Sequence, residues 1–246
     1  MPGIMAAATA GGYQERIAQL SNPEVLLDWG DTNCYPGTGT SFTNQGSSGT
    51  THDGDLVNGA AYSSSFGGII TCDGTDDMIQ LDANFTQPRA GGTCMIWLRT
   101  HQAESRPFAS RTAGAFEGFV NFGGTDGVDR AETATNCNNW FAVGGANDFG
   151  TYTNIWTCVI GRTASNLVTW FERGTRQHGG TYGEISCGGG AASNMVNDFN
   201  FRFFGENTTY DSHWDGDYGV IALWDTNLSD HQCLEAFGVY RHRYGV

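Results

Sequence analysis

Trp156-Thr157-Cys158-Val159-Ile160 and, further on, Phe199-Asn200-Phe201-Arg202-Phe203 set apolar side chains against polar ones with a period close to two. Successive side chains on a strand point to opposite faces, so this period predicts strands with one buried face and not helices. Similar short runs occur at Val25–Trp29, Gly68–Cys72, Met78–Leu81, Cys94–Thr100, Gly118–Phe122, Trp140–Val143, Leu167–Glu172 and Gly219–Trp224. Clusters of Gly, Ser, Thr, Asn and Asp separate them, with long loops expected at 33–55, 123–139 and 174–198. Strands of this length joined by turn residues describe an all-β sandwich or barrel.

Composition agrees. The 246 residues include 36 glycines but only 5 prolines, and aromatics make up 13%. All-β sandwiches of this length are commonly single domains. The 26 acidic residues outweigh the 12 basic ones, all Arg, for a net charge of −14. Such a chain repels phosphate backbones and anionic membrane surfaces, which argues against nucleic-acid binding. No run of about 18 apolar residues predicts a membrane helix, so membrane insertion is not expected. The first residues lack a basic segment before a strong apolar one and make a poor signal peptide. The seven cysteines contain no C-x-x-C, and Cys72, Cys94 and Cys158 sit in apolar runs. Buried free thiols, formed in a reducing cytoplasm, are the favoured reading, with disulfides as the alternative.

Both ends predict helix. Tyr13, Ile17 and Leu20 have helical spacing, and Ser21-Asn22-Pro23 stops the run. Residues 1–22 therefore read as an arm with a short helix, and 23–246 as the sandwich. The arm is expected to dock on a neighbouring subunit or on its own domain, with Tyr13, Ile17 and Leu20 as the candidate contact. At the other end Ser229 and Gln232 form a capping box, followed by Leu234, Phe237 and Val239, so a short helix closes the domain.

Three blocks carry a resemblance. Val25-Leu26-Leu27-Asp28-Trp29-Gly30-Asp31 runs into Tyr35-Pro36-Gly37-Thr38-Gly39-Thr40; Asp73-Gly74-Thr75-Asp76-Asp77-Met78 follows; Gly219-Val220-Ile221-Ala222 leads through Leu228-Ser229 to Arg243-Tyr244-Gly245. In order and spacing they resemble the concanavalin A-like lectin/glucanase superfamily, in the laminin-G-like form found in bacteriophage virion and bacterial surface proteins. The resemblance spans about residues 23–246. It implies a two-sheet antiparallel jelly-roll sandwich, not a reaction.

Chemistry is sparse. Retaining glycosidases need two carboxylates about 5 Å apart, and the glucanase pattern of alternating acids on one strand is not found. There is no G-x-S-x-G, H-x-x-x-H or H-E-x-x-H motif, and the six histidines read as isolated surface residues. No enzyme activity is expected. Ca²⁺ is the best-suited metal, with Asp73, Asp76 and Asp77 as candidate oxygen ligands against a plain hairpin connection. Asp211, Asp215 and Asp217 form a second acidic stretch. Tyr210, Asp211, His213, Trp214 and Asp215 offer the aromatic and carboxylate groups of a glycan site, against edge packing of Trp214. Asn138, Asn139 and Trp140 read as edge packing.

The expectation is a non-enzymatic structural protein of a phage particle: a capsid decoration, fibre or tail component. Its partners would be other virion proteins or copies of itself, met through the arm. A carbohydrate-binding module or adhesin at the cell surface or outside the cell is the alternative, and a glycoside hydrolase the third reading. No cofactor is required, with Ca²⁺ as the open option.

Overall fold

The computed structural model describes residues 10–87, 91–101, 105–112, 115–123, 128–129, 154–164, 167–172, 175–181, 199–204 and 214–246. Two helices, α1 (Ala10–Leu20) and α2 (Asp230–Tyr240), flank the strands. The first seven strands are β1 (Val25–Leu27), β2 (Ser41–Phe42), β3 (Gly54–Val57), β4 (Ala61–Ser63), β5 (Ile69–Asp73), β6 (Met78–Gln87) and β7 (Gly92–Thr100). Then come β8 (Ser105–Thr112), β9 (Ala115–Gly123), β10 (Val128–Asp129), β11 (Thr157–Ala164) and β12 (Leu167–Glu172). β13 (Thr175–Thr181), β14 (Phe199–Phe204) and β15 (Asp215–Trp224) complete the set.

Among the described residues, one sheet runs β13-β12-β11-β7-β15-β5-β4, with β1 also on β15. A second runs β14-β6-β3-β2, and β10-β9-β8 lies beside β14. The paired strands are antiparallel. This is the expected jelly-roll sandwich.

The central strands are buried on both faces, and so is Trp156–Ile160, where one buried face was expected. On β7, Cys94, Ile96 and Leu98 point into the core between the sheets, with Trp29, Phe42, Ile79 and Phe204. Met95 and Trp97 point the other way, into a second core with Ile17, Val220, Trp224, Cys233 and Tyr240. α1 and α2 cover that face, so β7 and β15 are apolar nearly throughout, as strands buried on both faces must be.

Both helices form where expected. The Ser229 hydroxyl accepts from the Gln232 backbone at 3.2 Å while the Gln232 amide oxygen accepts from the Ser229 backbone at 2.9 Å. Arg162 bonds the Leu228 carbonyl and Asp230, fixing the start of α2 on β11. Leu234, expected inward, is exposed, and Cys233 and Ala236 take the buried positions.

Several strands were not expected. The supposed loop 33–55 contains β2 and the start of β3, and β13 begins within 174–198. β4 and β8 likewise went unread. Asn44 explains how the first region is tied down: its Oδ1 accepts from Leu26 and Gly46, and its Nδ2 donates to Glu24, Ser48 and Gly49. The expected strand at Trp140–Val143 lies outside the described residues.

The chain ends are joined by a buried ion pair. Arg243 donates to Asp28 Oδ1 at 2.5 Å and to the carbonyls of Phe66, Gly67 and Gly68 at 2.7, 3.0 and 2.6 Å. Its side chain is 6% exposed and that of Asp28 0%. Arg243→Ala is expected to cost about 3–5 kcal/mol in chemical denaturation, because it leaves a buried carboxylate uncompensated. Arg243→Lys should recover only part of that, since an ammonium lacks the planar fork that reaches four acceptors.

Cys34, Cys72, Cys94, Cys158 and Cys233 are free and buried, matching the thiol reading; Cys137 and Cys187 lie outside the described residues. Burial pushes the Cys233 thiol up to about 12 and the other four upward too. The thiolate is the reactive form. These five should resist iodoacetamide in the native protein and react fully in denaturant, as peptide mapping would show.

Candidate functional site

The acidic turn is the simplest candidate to place. Single carboxylate oxygens of Asp73, Asp76 and Asp77 lie within 4.8 Å of one another. Two of these side chains already serve the hairpin. Asp77 Oδ2 accepts from the Asp73 backbone at 2.9 Å, and Asp73 Oδ1 accepts from Thr75 at 2.8 Å. Such bonds are the ordinary role of Asp in turns.

Of the glycan set the structure describes Trp214 and Asp215. Tyr210, Asp211 and His213 lie outside the described residues. Trp214 is fully buried in the core between the sheets, its ring 5.6 Å from that of Tyr218. It offers no face to a sugar; the edge-packing alternative is the observed one. Asp215 starts β15 and is partly exposed. Asp217 lies on the strand and not in an acidic loop.

Tyr13, Ile17 and Leu20 also turn inward. Ile17 is fully buried, the Tyr13 ring lies 5.2 Å from Tyr240, and Leu20 packs on the same core. The Gln232 side chain donates to the Leu20 carbonyl at 2.7 Å. An amphipathic helix buries its apolar stripe once, and here the chain's own α2 takes it. These three residues therefore pack within the chain, Ile17 fully and Tyr13 and Leu20 partly buried, which is the second of the two docking expectations.

A different cluster forms at one end of the large sheet. Antiparallel register sets Asp217 opposite Thr71 on β5 and opposite Arg99 on β7. All three share the face that carries Trp97 and Val220, beyond the reach of the helices. The Asp217 side chain is 1% exposed. Its Oδ1 accepts from Thr71 Oγ1 at 2.7 Å, and its Oδ2 takes Arg99 Nε at 2.6 Å and Nη2 at 2.5 Å. His101 spans the two acids, Nε2 lying 3.0 Å from Asp217 Oδ2 and Nδ1 3.2 Å from Asp215 Oδ1. Arg99, His101 and Asp215 are each about a quarter to a third exposed. Among the described residues no bond takes Arg99 Nη1 or Asp215 Oδ2, and both side chains are partly exposed.

An aromatic row reaches the same place. Phe237 and Tyr244 stack on Trp97, Tyr244 contacts Trp156, and Trp156 meets Phe66 at 5.3 Å. The Arg99 guanidinium sits 5.1 Å from the Phe66 ring centre and 5.5 Å from Trp156. Phe66 is 40% exposed and Ile155, beside Trp156, is 41%. Phe66 has φ 50°, a left-handed conformation costly for an aromatic residue, and Gly67 and Gly68 follow with φ 74° and 116°. The Arg243 bonds to three successive carbonyls hold this turn.

Sequence reasoning missed this site because its partners are far apart in the chain. His101 lies more than a hundred residues from the two acids it joins. The alternation Asp215-Gly216-Asp217 was the available signal, since same-face acids two apart were the pattern sought. His52 is likewise not a surface residue: it is 8% exposed, with Nδ1 2.7 Å from Ser48 Oγ and its ring against Phe85.

No family model and no curated protein matches this sequence. Solved structures do resemble it. Domain 4 of AbnA, a GH43 extracellular arabinanase from Geobacillus stearothermophilus in complex with arabinotriose, is 13% identical with a TM-score of 0.62, covering 87% of this chain and 98% of that one. The binding domain of botulinum neurotoxin serotype D is 9% identical with a TM-score of 0.54, covering 91% and 52%. Trypanosoma rangeli sialidase in complex with sialic acid is 7% identical with a TM-score of 0.53, covering 93% and 37%. The chain thus spans about half of the toxin domain and just over a third of the sialidase. At these identities the likeness establishes a shared lectin-like β-sandwich fold.

Burial raises the Asp77 carboxyl above its usual range, and Asp73 and Asp76 add to the rise, while the Asp73 N–H opposes it. A raised folded-state pKa means that the ionised form burdens the fold. That burden is absent below the unfolded value of 3.8 and complete above the folded one. Asp77→Asn is therefore expected to melt at a higher temperature than wild type at pH 7. The gain should vanish near pH 3, where the wild-type carboxyl is already neutral; calorimetry at both pH values checks this.

Proposed function

We propose that this chain is a non-enzymatic contact module that recognises carbohydrate, and that it works as an exterior component of a virus particle. The observation that carries the glycan reading is the Phe66 patch. A ring 40% exposed is held in left-handed backbone under the Arg99 guanidinium, whose Nη1, like Asp215 Oδ2, takes no bond among the described residues. Sugars are commonly bound by an aromatic ring under their apolar face and by charged side chains on their hydroxyls. The fold supports the reading by likeness, since the arabinanase domain was solved with arabinotriose and the sialidase with sialic acid.

The non-enzymatic reading is supported by the state of Asp215 and Asp217, the same-face acids on β15. Asp217 is closed off from solvent and neutralised by Arg99, so it has no substrate to reach and no water to activate. Ca²⁺ is not required, because the Asp73 and Asp77 side chains are already engaged by the hairpin backbone.

The virion setting rests on the bacteriophage-type sequence blocks, the free buried thiols and the acidic composition. A capsid decoration, fibre or tail location fits equally, and a secreted or cell-surface adhesin is the competing setting. Contacts with other virion proteins or further copies would use surface that the packing of α1 on α2 leaves exposed.

A glycan array probed with and without millimolar Ca²⁺ tests the proposal. Binding should occur in both conditions, and no reducing ends should be released from any bound oligosaccharide. An array without hits would remove the glycan reading, and released reducing ends would restore the hydrolase. Antibodies to the chain should label intact purified particles and leave uninfected cells unlabelled.

A further inference from the structure

The residues around Phe66 carry a charge that selects among sugars. Arg99 brings the only fixed positive charge to the cluster, and Asp217 cancels it through two bonds. Asp215 then remains. Whether His101 holds one ring proton or two, Arg99, His101, Asp215 and Asp217 together sum to −1 or 0. Asp73 lies directly opposite Asp215 in the β5–β15 register and therefore on the same face, which lowers the local sum by one more. Arg243 supplies no spare charge either, since it is buried and spent on Asp28. An anionic sugar brought here would lose its hydration to face a neutral or negative surface, with no cation left among the described residues of the cluster to receive its carboxylate.

The polar groups still available suit hydroxyls. Arg99 Nη1 donates and Asp215 Oδ2 accepts, and a hydroxyl can do both in turn. Phe66 and Ile155 offer apolar surface alongside. We infer that the patch formed by Phe66, Ile155, Arg99, His101 and Asp215 binds an uncharged sugar and discriminates against sialic and uronic acids. This rests on the glycan reading above and gives it a place and a ligand class. It also separates the chain from its sialidase neighbour, whose ligand is a charged sugar.

The test uses the full chain and matched probes: lactose against 3′-sialyllactose, and arabinotriose against trigalacturonic acid, by isothermal titration. At least one neutral probe should bind at least tenfold more tightly than its charged counterpart. Phe66→Gly suits the left-handed backbone and so should keep the wild-type melting temperature while losing at least tenfold in affinity for that neutral probe. Asp215→Asn should lower the same affinity while weakening the discrimination against the charged probe. Tighter binding of 3′-sialyllactose or trigalacturonic acid would overturn the inference and leave the glycan reading standing. A neutral probe held equally by wild type and both variants would overturn the location. No binding of any probe would overturn the glycan reading itself; a particle protein retained by wild type and lost with Phe66→Gly would then assign the patch to a protein.

Discussion

The Asp28–Arg243 pair joins parts of the chain that lie 215 residues apart. A buried ion pair is weak evidence for stability as such, because taking both charges out of water costs about what their attraction returns. Its value here lies in geometry. One planar guanidinium reaches the end of the first strand and three successive carbonyls of the Phe66 turn while sitting on the chain's last turn. The approach is so close that side chains are excluded around it. A Cβ on Gly30 would lie 1.9 Å from the Gly67 carbonyl oxygen, and one on Gly68 would lie 2.5 Å from the Gly30 nitrogen. Two glycines and a left-handed phenylalanine are the conformational consequence of seating that arginine.

The second constraint is the cover on the large sheet. Where α1 and α2 lie over it, the outward positions of β7 and β15 are Trp97, Val220, Ala222 and Trp224, all buried. Where the cover stops, the same face turns polar within one residue step on each strand, to Arg99 and Asp217. Asp217 is still nearly inaccessible there, so its charge has to be met locally, and Arg99, Thr71 and His101 meet it. The polar cluster is thus a boundary feature: it finishes a two-faced sheet at the point where the helices no longer do. The atoms that take no bond among the described residues, Arg99 Nη1 and Asp215 Oδ2, are those not needed for that closure.

What the sequence disclosed and what it concealed follow the range of the interactions. Ser229 and Gln232 sit three residues apart, so the capping box and α2 were readable directly. The helical stripe Tyr13–Ile17–Leu20 was equally local, but its destination was not, because a stripe does not name the surface that covers it. The blocks around Asp28 and Arg243 were noticed separately, yet nothing in either says that they touch. Periodicity reads Trp156–Ile160 as half-buried, yet all five are buried, because one residue pattern cannot show a second covering layer. β2 and β4 escaped because strands of two or three residues carry no period. Trp214 stayed open between a sugar contact and packing because His213 and Asp215 beside it are polar, while the ring of Tyr218 that it packs against lies on the following strand.

The strain at Phe66 bears on whether the patch exists for folding alone. A buried phenylalanine contributes roughly 1.5–3 kcal/mol, and one with two-fifths of its surface exposed about 1–2 kcal/mol. A left-handed backbone costs a non-glycine residue roughly 1–2 kcal/mol. The two nearly cancel, so the ring's packing on Trp156 and Arg99 does not by itself account for a phenylalanine at a position whose next two residues are glycines. Asn154, beside the exposed Ile155, is also left-handed, though asparagine tolerates that conformation better. Strain of this kind persists where surrounding structure enforces it, and it collects at binding sites. The enforcing structure here is the Arg243 clamp, whose bonds run to the backbone of this turn and leave the Phe66 ring free to face outward.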